Sequence, residues 1–229
     1  MTGSGKQLTL PFPLNERCVF ANFVMGPNAE LVDHLQGACV GRFSSTWLWG
    51  DVGKSHLLQA TCQNQAQIGF AVAYLPLADT DGQIELLRGL SSHNLVAVDD
   101  LDVWLGDRRL ETELLTLYQD LYSTGATLLL SSMSAPAEVT FALPDLASRF
   151  RSSNCHHVQP LDDDDKAEVL RRHAAARGLR LTEPVLDFWL SHSERSLRQL
   201  LAQLDSVDRA AMVEQRRVTV PLLKQVLRL

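Results

Sequence analysis

The chain has 229 residues and a mass of 25.4 kDa, enough for one sizeable core and a smaller appended unit. Its formal net charge of −6 at pH 7 and sequence pI near 5.6 exclude the basic footprint of a protein that grips duplex DNA unaided. There is no apolar run of the roughly 18 residues a membrane span needs, no signal-peptide succession at the start, and no C-x-x-C pair among Cys18, Cys39, Cys62 and Cys155; a cytoplasmic protein with reduced thiols and no membrane partner is expected.

In chain order, residues 1–13 read as a flexible tail. Its GSGK, ending at Lys6, imitates the end of a phosphate loop, but Gln7 stands where Ser or Thr is required and no strand precedes it. Over 14–160, strand-like and helix-like runs alternate. Strands are predicted at Ser45–Trp49, Ala71–Leu77, Leu95–Asp99, Thr127–Ser131 and His156–Gln159. Amphipathic stretches lie between them, the clearest carrying Leu110, Leu114, Leu117 and Leu121. That order implies an α/β domain with a parallel sheet flanked by helices.

Over 161–229 the strand signal ends. The acids Asp162–Asp165 open a run that closes on Arg171, Arg172, Arg177 and Gly178, the polarity a helix dipole favours. A helix over Glu183–Ser191, an apolar stripe at Leu197, Leu200, Leu201, Leu204 and Val207, and a last helix over Val220–Leu229 complete a small all-helical domain.

The chemistry begins at Trp47, where the strand-like WLW leads into Gly50-Asp51-Val52-Gly53, then Lys54-Ser55-His56 and a helix-like run. The phosphate loop G-x-x-x-x-G-K-[ST] places four residues between its glycines, whereas only Asp51 and Val52 lie between these. Downstream, Leu95–Val98 runs into Asp99-Asp100, an apolar strand ending in paired acids, where a P-loop protein holds magnesium and orients water. Acids ending a buried strand are by themselves ordinary; Lys-Ser after one strand together with Asp-Asp after a later one points to a nucleotide site. Ser131 or Ser132, at the end of TLLLSS, could face a γ-phosphate or simply satisfy backbone. Arg149 in LPDLASRF and Arg198 in SLRQLLAQL are each compatible with a plain surface arginine.

Taken in order, these residues resemble the AAA+ ATPases and, within them, the DnaA/Hda family of bacterial replication proteins. The segment FANFVMGPN, with Phe20, Asn22, Phe23, Gly26 and Asn28, is similar to the family's opening F-x-N-F-x-x-G-x-x-N. GKSHLLQA, AVDDL and LPDLASRF resemble its Walker A end, Walker B strand and arginine-finger helix. The similarity spans about residues 15–229 and implies a AAA+ domain followed by a helical lid. It implies that Asn22 and Phe23 line the base, that Gly50, Asp51, Val52, Gly53, Lys54, Ser55 and His56 surround the phosphates, and that Ser55 and Asp99 hold Mg2+. It further implies Asp100 and Ser131 as catalytic positions, Arg198 as the lid's sensor arginine, and Arg149 as a finger acting in trans.

An initiator of this family continues into a basic helix-turn-helix domain, and this sequence stops at Leu229; the resemblance therefore points to the family's smaller regulatory branch. Such a protein carries ADP (or ATP) and promotes hydrolysis of the ATP held by the initiator DnaA. QLTLPF, Gln7 to Phe12, resembles a peptide that binds the DNA polymerase sliding clamp, with Gln7, Leu10, Pro11 and Phe12 as its contacts and DNA reached only through the clamp. A homo-oligomer and a weak ATPase of its own stay open, as do an autonomous AAA+ motor or loader and a nucleotide-free clamp adaptor. The short loop presents fewer backbone N–H groups to phosphates, so weaker nucleotide binding or an altered loop path is expected.

Three features take plain structural roles. Cys155, His156 and His157 are consecutive in a strand and cannot all face one metal. Asp162–Asp165 lacks calcium-loop spacing and reads as a helix start. Trp47, Trp49, Trp104 and Trp189 read as core or interface.

Overall fold

The computed structural model describes residues 12–37, 41–193, 196–214 and 217–228. These form two compact units: one of Asn28–Gln159 with the residues up to Ala21, the other of Asn22–Pro27 with Pro160 onward.

The first unit is built on five parallel strands, β1 (Ser44–Trp49), β2 (Val72–Pro76), β3 (Leu95–Asp99), β4 (Thr127–Ser132) and β5 (Asn154–His157). They are ordered β2-β3-β4-β1-β5. Every residue of β3 and β4 is buried, whereas β5 at one edge is half open. That is why the two central strands read as unbroken apolar runs rather than alternating ones: helices cover both faces of the sheet. The helices are α1 (Ala29–Gln36), α2 (Lys54–Gln67), α3 (Arg108–Thr124) and α4 (Pro144–Arg151). Helix α3 starts where the Asp107 carboxylate accepts the N–H groups of Arg109 and Leu110, and ends at Gly125, whose φ of 72° no side chain opposes. Its apolar face joins Trp47, Val96, Leu128, Leu130 and Phe150 in one core.

The last strand lies two residues earlier than the pattern predicted, at Asn154–His157 instead of His156–Gln159. Pairing ends with β1 at Trp49, and just beyond it the Asn28 side chain captures the backbone of Gln159, accepting its N–H at 2.7 Å and donating to its carbonyl at 3.1 Å. The motif asparagine Asn28 is thus a buried clip between chain segments.

The second unit contains α5 (Asp163–Ala175), α6 (Glu183–His192), α7 (Leu197–Glu214) and α8 (Val220–Leu227). The acidic run acts as the helix start expected of it: Asp162 is the N-cap of α5 and accepts the N–H of Asp165 at 2.8 Å. Trp189 is fully buried among Leu170, Leu186, Leu200, Leu204 and Leu223, with its indole N–H on Gln203 Oε1 at 2.7 Å. The stripe on α7 is the lid's core face, and Trp47, Trp104 and Trp189 are all core residues. No helix among the described residues is long and apolar enough to cross a membrane, and no group of three or more His, Cys, Asp or Glu there could hold a metal ion.

Candidate functional site

Because the sheet is parallel, β1, β4 and β3 present their carboxyl ends side by side, the edge where α/β sheets bind ligands. Cross-strand register sets Trp49 against Ser132 and Val98 against Leu130, so the end of β4 lies between the loop after β1 and the acids after β3.

The loop after β1 is Gly50-Asp51-Val52-Gly53, and α2 begins directly at Lys54. Gly50 has φ 134°, and a Cβ there would lie 2.8 Å from the Val158 carbonyl oxygen; only glycine fits. Gly53 takes the left-handed conformation at the helix start. Lys54 is buried, and its ammonium donates to the carbonyls of Gly50 and, at 3.2 Å, Asp51, with the Met133 sulfur 3.8 Å away. The short loop therefore folds around its own lysine.

The end of β3 is equally well bonded. Asp99 is buried; its Oδ1 accepts from the Ser131 hydroxyl and from Asp100 N–H at 3.2 Å, and its Oδ2 accepts from the Tyr74 hydroxyl at 2.7 Å. Burial, reinforced by the Asp99 charge, pushes the Tyr74 phenol far above its ordinary range, so it stays a donor. The same two causes, burial foremost, keep the Cys62 thiol protonated. Asp100 has φ 57° and ψ 50°, an uncommon conformation that aspartate tolerates, held by its N–H on Ser131 Oγ at 3.0 Å. Of the two candidate serines, Ser131 joins the two acids. Ser132 donates to Asp102 at 2.8 Å, and Asp102 also accepts the Met133 N–H at 2.9 Å.

His56 turns away from the loop: its Nε2–H donates to the Val19 carbonyl at 2.9 Å, and burial pulls its pKa below the usual histidine range. With Gln59 and Gln63, which bond the backbone of Asn15 and Cys18, it straps the N-terminal segment to α2. The His56 ring is thus a fastener of that segment. Asn22, exposed at the end of the turn Phe20–Asn22, and half-buried Phe23 group with the second unit, as does Arg198 in the first turn of α7. Arg149 is in the last turn of α4, its guanidinium carbon 5.3 Å from the centre of the Tyr118 ring.

Phe12 is half-buried against the α/β core and so is not part of a free tail; Gln7, Leu10 and Pro11 lie outside the described residues. Tyr74 and Asp102 were not legible as site residues. Their bonds to Asp99 and to Ser132 join positions 25 and 30 residues apart.

Two comparisons bear on this geometry. Residues 163–227 match the family model described as "Hda, lid domain". Domain III of the Thermotoga maritima replication initiation protein DnaA superposes with a TM-score of 0.80 at 23% identity, over 95% of this chain and 98% of that one. The helical unit thus matches an Hda lid, and the chain as a whole has the fold of DnaA domain III. AMPPCP-bound DnaA from Aquifex aeolicus aligns with a TM-score of 0.69 at 21% identity, over 88% of this chain and 67% of that one. The Thermotoga maritima RuvB Holliday junction branch migration motor aligns with 0.62 at 12% identity, over 87% and 68% of the two chains. The parallel sheet flanked by helices and the C-terminal helical lid are thus those of the AAA+ fold.

The residues present at the end of β3 fit a magnesium ion. An ionised carboxylate offers about four lone-pair sites. Protein donors fill three on Asp99, leaving one for a metal ion or its bound water. Magnesium takes only one or two carboxylates and draws its other ligands from phosphates and water.

Proposed function

We propose that this protein regulates replication initiation as an Hda-type partner of the initiator DnaA: tethered to the sliding clamp through Gln7, Leu10, Pro11 and Phe12, it promotes hydrolysis of the ATP that the initiator holds. The observation that carries the reading is an Hda-type lid at residues 163–227 in a chain whose fold follows domain III of DnaA. Its own nucleotide is ADP (or ATP) with Mg2+. Gly50, Asp51, Val52, Gly53 and Lys54 surround the phosphates, Ser55 and Asp99 hold the metal, and Asn22, Phe23 and Arg198 complete the nucleotide contacts. Magnesium would neutralise phosphate charge there. Asp100 and Ser131 are positioned around Asp99, and their mutual bonds support their assignment as the polar pair of that site.

Catalysis is shared in this reading. Arg149 supplies a planar, permanently charged fork to charge developing on the partner's ATP, the kind of contribution a finger in trans makes. The protein then acts as an activator of another ATPase in the cytoplasm, with DNA met only through the clamp. Phe12 leaves its place against the α/β core when the clamp takes the peptide.

The test follows labelled ATP bound to purified DnaA while this protein, clamp and DNA are added separately and together. Accelerated loss only with all components supports the reading; the same loss without this protein rejects it. One observation favours a second reading, a nucleotide-free clamp adaptor: Lys54 is bonded to the carbonyls of its own loop. Thermal melts with millimolar ADP distinguish the two, since the adaptor shows no shift.

A further inference from the structure

Glu111 lies on α3 with none of its surface exposed, and its bonds go to backbone N–H groups. Oε1 accepts from Gly106 at 2.7 Å and Ala142 at 2.9 Å, and Oε2 accepts from Leu143 at 2.7 Å. Gly106 belongs to the connection after β3. Ala142 and Leu143 lead directly into α4, and Leu143 is the N-cap of that helix. Its apolar side chain makes no capping bond, and Pro144 behind it has no N–H to offer. The start of α4 is therefore held from outside, by a carboxylate on another helix.

Seven residues on, Tyr118 occupies the same face of α3, since positions seven apart are two turns apart on one side of a helix. Its ring packs against Phe150, with centroids 6.1 Å apart, and lies under the Arg149 guanidinium at 5.3 Å. One helix thus grips α4 at both ends.

We propose that α3 is the positioning element for the arginine-bearing helix, with Glu111 fixing where α4 begins and Tyr118 fixing where the Arg149 guanidinium points. The proposal rests on the reading of Arg149 as a finger acting in trans. A long arginine side chain samples many rotamers, and one restrained before the encounter loses less freedom at the phosphate. A cation–π contact with a ring face uses no N–H donor and leaves those donors for phosphate oxygens. Glu111 sets the register of the helix itself, and a displacement of about 1 Å at a positioning element can cost about a hundredfold in rate. Glu111 and Tyr118 are positioning residues; neither needs to touch ATP.

The test measures initiator-ATP loss on clamp-loaded DNA at varied concentrations of this protein, giving a maximal rate and a half-saturating concentration. Tyr118→Phe keeps the ring face and retains the wild-type maximal rate. Tyr118→Leu keeps apolar filling but removes the face, and lowers the maximal rate about tenfold at unchanged half-saturation. Glu111→Gln turns an amide N–H against a backbone N–H and lowers it by about tenfold or more. Melting temperature is measured for each variant, and Tyr118→Leu carries the test if Glu111→Gln does not fold.

The proposal is overturned if both variants fold and keep the wild-type maximal rate while Arg149→Ala abolishes stimulation; the finger would stand and its positioning would not. It is also overturned by equal losses in Tyr118→Phe and Tyr118→Leu, or by a raised half-saturating concentration at full maximal rate, which would make α3 a docking surface. A wild-type rate for Arg149→Ala removes the underlying reading and the proposal with it.

Discussion

Two sets of charged groups in the α/β unit are treated in opposite ways. Along the carboxyl edge of the sheet, Lys54 and Asp99 are buried and bonded inward, the lysine to its own loop and the aspartate to Tyr74, Ser131 and the next backbone N–H. On α4, Arg149 is half-exposed with its guanidinium carbon over an aromatic face at 5.3 Å, a cation–π contact that orders it without consuming an N–H donor. Neutralising a buried charge with local dipoles makes a stable holding site, because an unpaired buried charge would be costly. A charge left at the surface with a defined direction can act on another molecule. The contrast matches the proposed function, in which one nucleotide is held and a second, on a partner, is acted upon.

The largest expected effect falls on the outward set. Arg149→Lys keeps the charge but loses the planar fork, and initiator-ATP hydrolysis should fall by about 10³-fold, the lower end of what a trans finger contributes. Clamp pull-down should be unchanged by it. Full activity of the lysine variant would reduce Arg149 to a point charge and dissolve the contrast.

The inward set is tested next. With ADP at about 100 times its Kd, binding stabilises the native state by about 2.7 kcal/mol, and Lys54→Ala should remove most of that shift in a thermal melt. Equal shifts in wild type and variant would show that the lysine serves its loop alone. An effect of similar size or less is expected from Tyr74→Phe, which deletes a bond to a charged acceptor worth about 1.5–3 kcal/mol. That change also frees a lone pair on Asp99, so the additional stabilisation by Mg2+ in ADP melts should grow. A weaker magnesium response would instead make Tyr74 a helper of the metal site.

Much of this contrast can be read in the sequence, because its landmarks are local. Gly53-Lys54-Ser55 after a strand and Asp99-Asp100 after another declare themselves by spacing, and Asp162 with the following acids declares a helix start. The neutralising partners are not local: Tyr74 reaches Asp99 across neighbouring strands, and Glu111 reaches Ala142 and Leu143 across 31 and 32 residues. One signal for Glu111 was present, since it continues the face of Leu114, Tyr118 and Leu121 as the single acid on an apolar stripe. The ring of His56 is a similar case: it bonds Val19, 37 residues earlier, a contact that no local pattern announces.

The smallest expected effect sharpens that last point. Burial lowers the pKa of His56, and burial followed by the neighbouring His34 lowers that of His156. The neutral forms are favoured in the fold, so their contribution is present above the unfolded histidine pKa, about 6.5, and is lost as pH falls through the lowered values. Melting temperature should decline below about pH 6.5, and His56→Gln should flatten part of that decline. An unchanged pH profile in the variant would mean that His56 is not the group that resists protonation.

The most direct measurement compares two rates for one preparation: ATP turnover by this protein alone, and loss of labelled ATP from DnaA on clamp-loaded DNA, each for wild type and Arg149→Ala. The expected result is little turnover by the protein alone in either form, strong stimulation of DnaA by wild type, and stimulation reduced by about 10³-fold in Arg149→Ala. Substantial turnover by the wild-type protein alone, or wild-type stimulation by Arg149→Ala, would contradict the assignment of Arg149 to a partner's ATP.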